Sequence, residues 1–186
     1  MNQPTTALRL KTGQAKKLGQ RSEGGLTYEL LTNEARQYLW IRVVANEGGG
    51  YFSKECVEFS AIAKSIDVLS IDASFPAKRF ASAFVGRSSC NPGFLSAVLV
   101  TEMLLAPSPT TPFQLIRAGD WDKWCKEVLE RPGEPIVLVS ASEGQDAAKP
   151  LAEGESSAVR TVDHTERKKT VTKSPDKGAG KHEARP

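Results

Sequence analysis

An α+β fold is predicted by three observations. Leu39, Ile41 and Val43 alternate with Trp40, Arg42 and Val44 ahead of a glycine-rich turn, which reads as a strand opening a hairpin. Two later segments, starting near Pro92 and Asp120, carry helical spacing and helix-start residues. From Ser140 onward the composition turns to Ala, Ser, Gly, Glu and Lys, with Val159, Val162 and Val171 as isolated apolar side chains. The expected architecture is a small mixed sheet beginning with a β-hairpin, three helices, and a disordered basic C-terminal tail. Residues 26–139 would form one globular domain. Residues 1–25 would be a basic, mostly flexible arm, and residues 140–186 a polar tail that cannot bury enough apolar surface to offset its ordering entropy.

Taken in order, Leu8–Lys11 could form a short strand within the arm, and Thr27–Leu31 reads as a strand. Leu39–Val44 follows, then the turn Asn46–Gly50, with Tyr51–Ser53 beginning the return strand. Ser60 is expected to cap a helix on which Ile62, Ile66 and Leu69 share a face. Phe80–Val85 reads as a strand and Pro92–Leu105 as the second helix, with Asn91 as its N-cap and proline at the first helical position. Pro107, Pro109 and Pro112 stiffen a connection that cannot be helical. Phe113–Ala118 is expected to be a strand, and Asp120 to cap a third helix with Trp121, Trp124, Val128 and Leu129 on its apolar face. Ile136–Val139 is expected to be a final buried strand.

Composition bounds the function. The 186 residues carry a net charge of +3, unevenly placed. Residues 1–25 hold five basic side chains against one acidic, and residues 167–186 seven against two. The body between has thirteen against nineteen, a balance of −6. Basic ends of this kind bind polyanions by counterion release or simply keep the termini soluble. No run of eighteen apolar residues occurs and the N-terminus is polar, so neither membrane insertion nor a signal peptide is expected. Cys56, Cys90 and Cys125 are widely spaced and odd in number, which fits reduced thiols in a cytoplasm rather than zinc ligation.

Both histidines, His164 and His182, fall in the expected tail. The folded part therefore lacks the imidazole that Ser-His and Cys-His mechanisms require. Magnesium held by carboxylates remains an option, with Asp72 as the candidate and Asp67, Glu102, Asp120 and Asp122 as the other acids considered. No spacing among them compels a metal, and Asp120 already has a structural task.

The most informative stretch is Gly86-Arg87-Ser88-Ser89-Cys90-Asn91. A loop with glycine, arginine and two hydroxyls running into a helix N-terminus could hold phosphate, so Gly86, Arg87, Ser88, Ser89 and Asn91 are the expected phosphate-binding residues. Cys90 beside Arg87 leans toward thiolate, although a small residue filling a tight loop is the plainer reading. Trp40 and Arg42, on one face of a strand, form a candidate stacking platform for nucleic acid, with burial of Trp40 under a helix as the alternative.

The strand, Gly-Arg loop and helix over residues 80–105 resemble in layout the phosphate-binding loop of the ParB and sulfiredoxin fold, here as Gly86-Arg87-Ser88-Ser89 without the second basic residue of the family pattern. With the basic tail, the chain resembles fertility-inhibition proteins of conjugative plasmids. That resemblance implies a plasmid accessory protein binding nucleic acid or nucleotide, with a component of the DNA-transfer machinery as partner, and suppressing conjugative or T-DNA transfer. The alternatives are a magnesium-dependent nuclease or NTPase, and a protein-interaction module without a ligand.

Overall fold

A computed structural model describes residues 5–19, 23–48, 51–86 and 88–138. The tail expected over 140–186, together with Gly49, Gly50 and Arg87, lies outside the described residues.

The fold is α+β. Strands β1 (Thr6–Lys16), β2 (Gly25–Thr32) and β3 (Leu39–Asn46) are joined in sequence by β4 (Val57–Glu58) and, from the C-terminal end, by β8 (Glu134–Val137) in a five-stranded sheet of order β4-β3-β2-β1-β8. Strands β5 (Phe75–Pro76), β6 (Leu105–Pro107) and β7 (Gln114–Arg117) make a second sheet of order β5-β7-β6. Every pairing in both sheets is antiparallel, so the expected single mixed sheet resolves into two antiparallel ones. The helices are α1 (Phe59–Lys64), α2 (Asn91–Thr101) and α3 (Trp121–Leu129), with a 3-10 segment at Ala77–Ala83.

The largest correction is at the N-terminus. Thr6–Lys16 is an eleven-residue strand between β2 and β8, not a flexible arm. Its inward positions include Gly13 opposite Tyr28 and Lys11 opposite Leu30, residues that do not announce a core strand. The return strand is Val57–Glu58 rather than Tyr51–Ser53, pairing Trp40 with Glu58 and Ile41 with Val57. The β2–β3 hairpin turns instead at Asn33, whose Oδ1 accepts the N–H groups of Gln37 and Tyr38 at 2.8 and 3.2 Å. Arg36 takes a left-handed conformation in that turn (φ 55°), and its guanidinium donates to the carbonyls of Leu129 and Arg131. Those are carbonyls at and just beyond the end of α3, which a cation satisfies well.

Phe80–Val85 is not a strand. Most of the run lies in the 3-10 segment, with Phe80 wholly buried edge-to-face on Phe75 at 5.8 Å. A short apolar run does not distinguish strand from buried helical turn. Helix α1 starts at Phe59, and Ser60 lies inside it, its hydroxyl donating to the Glu58 carboxylate instead of capping backbone. Helix α2 stops at Thr101, four residues before the expected end, and Met103 then takes a left-handed conformation (φ 60°). Asp120 caps α3 as expected, accepting the Lys123 N–H at 2.9 Å. Strand β8 is an edge, with Val137 exposed, rather than a buried strand.

One face of the larger sheet, with Leu26, Tyr28, Leu30, Leu39 and Ile41, packs against α1, α2 and α3 in the main core. Helix α2 is buried nearly all round because its residues are apolar nearly all round; Ser96 is accommodated by donating to the Pro92 carbonyl at 2.8 Å. Trp121 and Trp124 are core aromatics, with centroids 5.4 and 5.2 Å from Phe59.

Glu102, just past α2, is buried within this core. Its Oε1 accepts Lys11 Nζ at 2.6 Å and the Tyr28 hydroxyl, and its Oε2 accepts Trp124 Nε1 at 3.2 Å. Burial, and then the Glu102 carboxylate, push the Tyr28 phenol above its ordinary pKa of 10.0. A raised folded-state pKa means the stabilisation is complete below about pH 10 and declines as pH rises and the unfolded chain ionises first. Tyr28→Phe is therefore expected to flatten the alkaline limb of a pH–stability curve measured by urea melts; an unchanged slope would contradict this origin. Gly13→Ala is expected to cost about 1–3 kcal/mol by overpacking, because a Cβ there would lie 2.4 Å from Tyr28 Cζ. A melting temperature equal to the parent's would contradict that contact.

Candidate functional site

In the loop after the 3-10 segment, two backbone N–H groups are taken up by the chain's own Glu55 carboxylate. Residues 51–56 run past the loop, and Glu55 accepts the backbone N–H groups of Val85 at 3.1 Å and Gly86 at 3.0 Å. Ser88 Oγ donates to the Tyr51 carbonyl at 3.2 Å, and Ser89 is exposed. Asn91 is the first residue of α2 rather than its cap; Cys90 occupies the cap position and makes no side-chain capping bond. The Asn91 side chain is buried and turned inward, its Oδ1 accepting the Ser53 N–H at 3.1 Å. Asn91 also lines a cavity of about 10 Å³ with Ile41, Val43 and Ser53, and its Nδ2 has no protein partner. Arg87 lies outside the described residues. Of the expected phosphate set, Gly86 is thus bonded to Glu55, Ser88 to Tyr51 and Asn91 to Ser53.

Trp40 is half-buried and stacks on Tyr38, with centroids 5.8 Å apart and planes at 25°. It packs against a second apolar cluster of Ala7, Leu31, Cys56 and Leu138 on the sheet face opposite the helices. Arg42 shares that face by alternation and is half-buried, its Nε without a hydrogen-bond partner. Burial pushes the Cys56 thiol up to about 11, with Arg42 acting in the opposite direction. Cys125 is also raised, by burial and then by Asp122, whereas Cys90 is the exposed thiol.

Asp72 is exposed, and Asp67 is engaged by Arg117 Nη2 at 3.3 Å. Among the described residues, no three His, Cys, Asp or Glu side chains come together as a metal site. Asp72 therefore has no ligand set around it there.

A different group of residues forms a basic groove of about 720 Å³ between the end of α1 and the 3-10 segment. Lys64 comes from the last turn of α1, and Lys78 and Arg79 from the first turn of the 3-10 segment. Arg79 Nε donates to the Ser65 carbonyl at 3.0 Å and so ties the two walls together. Ser65, Ser74 and Ser82 also line it, the Ser65 hydroxyl donating to the Ile62 carbonyl at 2.6 Å, and no carboxylate lines the groove among the described residues. The adjacent Lys78-Arg79 pair was visible in the sequence, but its convergence with Lys64 depends on the turn through Phe75.

Comparison with protein-family models, curated proteins and solved structures finds no match for this chain.

The Glu55 contacts give a direct expectation. Glu55→Ala should cost about 1–2 kcal/mol, since two backbone donors lose their acceptor, and sulfate should then raise the melting temperature of the variant more than that of the parent. A variant as stable as the parent, with no sulfate dependence, would show that the loop does not rely on this carboxylate.

Proposed function

We propose that this protein binds the phosphate backbone of nucleic acid in the groove bounded by Lys64, Lys78 and Arg79, and that it acts through this binding rather than through turnover. The lining carries the reading. Lys64, Lys78 and Arg79 line one open groove together with Ser82, and among the described residues no carboxylate lines it. Such a lining suits a repeated anion and offers no directional code for base edges, so the expected binding is independent of sequence. The basic segment at residues 167–186 adds charge of the same sign, whereas Arg9 and Lys11 of β1 are paired with Glu29, Glu134 and Glu102.

Lys64 and Lys78 are exposed and can be changed without disturbing the bond that Arg79 makes to Ser65. Binding of a duplex oligonucleotide should weaken steeply with salt. Removing both ammonium groups in Lys64→Ala/Lys78→Ala should lower the slope of log affinity against log salt by about 2. Titrations of the full chain and the double variant across a salt series, with melting temperatures measured in parallel, check this. Equal slopes with equal stability would contradict the assignment.

A further inference from the structure

A second groove, of about 590 Å³, shares the start of the 3-10 segment with the basic groove, Ala77 lining the one and Pro76 and Lys78 the other. Its walls are the end of β1 and the turn after it (Lys17–Gly19), the first turn of α2, and the connection from β6 to β7. The volume is within the range of about 300–1,000 Å³ typical of small-molecule sites. Leu18, Phe94, Pro107, Pro112, Phe113 and Leu115 make it mainly apolar. Lys17 is its charged lining residue, and no carboxylate lines it among the described residues. The Lys17 ammonium sits 5.8 Å from the Phe94 ring centroid and, among the described residues, donates to the Glu23 carbonyl at 3.0 Å, while an ammonium has three donors.

Two further features fit an occupant. Phe113 is 80 % exposed and left-handed (φ 61°), a costly conformation for a bulky residue that gains no burial from it. At Gly93, in the first turn of α2, an added Cβ would meet nothing within 4 Å, so the helix opens directly onto free space.

We propose that this groove binds a small amphipathic carboxylate. Its apolar body lies against Phe94, Phe113 and Leu115, and its carboxylate meets the Lys17 ammonium. The first turn of α2, which bears no acidic side chain, contributes a favourable field of the same sign. Cys90 stands on the groove wall as an exposed thiol and serves as a built-in reporter.

Decanoate is the probe, titrated into the full chain by calorimetry while Cys90 alkylation by iodoacetamide is followed by mass spectrometry. Saturable binding with protection of Cys90 is expected. Gly93→Leu, which fills the groove without touching the core, should leave the melting temperature unchanged and weaken decanoate by at least about tenfold. Lys17→Ala should weaken it by about tenfold, the scale of one charge-assisted bond, and 1-decanol should bind the parent as weakly as decanoate binds that variant. Phe113→Gly should raise stability while lowering affinity, a split that a purely structural Phe113 would not give. Lys64→Ala/Lys78→Ala should bind decanoate like the parent, which separates this site from the polyanion groove. Non-saturating binding, unprotected Cys90, or Gly93→Leu binding like the parent would overturn the site. Equal affinity for decanoate and 1-decanol would overturn the carboxylate assignment.

Discussion

Glu102 is a carboxylate held inside the protein, and much of the fold is arranged to make that tolerable. An uncompensated buried charge costs several kcal/mol, so its partners must be present and correctly placed. Lys11 comes from β1, Tyr28 from β2 and Trp124 from α3, while Glu102 itself follows α2. Four elements are thus tied at one point of the main core. Gly13 serves the same cluster from the next inward position of β1, leaving room for the Tyr28 ring. The register of the N-terminal strand against β2 is accordingly coupled to where α2 ends and where α3 begins.

The Gly86 loop follows similar logic on a smaller scale. Its free amides attract an anion, and the nearest one is Glu55, about thirty residues earlier in the chain. That carboxylate ties the amides of Val85 and Gly86 to the 51–56 segment. Among the described residues, Lys64, Lys78 and Arg79 line a groove that no carboxylate lines, and its two walls are tied by the bond from Arg79 to Ser65.

What the sequence made legible was what rests on local periodicity. The alternation of Leu39, Ile41 and Val43 and the amphipathic spacing after Asp120 both mark real elements, and the reading of Trp121 and Trp124 as core was correct. β1 was obscured because its inward residues include a lysine and a glycine, whose burial makes sense only beside Glu102 and Tyr28. Phe80–Val85 misled because six apolar or small residues satisfy a strand and a tight helical turn equally well. The pairing of Glu55 with Gly86 and the convergence of Lys64 with Lys78 were not legible because they are tertiary facts with no local signature.

In the proposed mode of binding, nucleic acid meets the Lys64–Lys78–Arg79 groove and not the Gly86 loop. Amide chemical-shift mapping of the full chain with a short duplex oligonucleotide tests it residue by residue. Shifts are expected to concentrate at Lys64, Ser65, Ser74, Lys78 and Arg79, with Gly86, Ser88 and Ser89 unmoved. Shifts centred on Gly86–Ser89, with the groove silent, would contradict it.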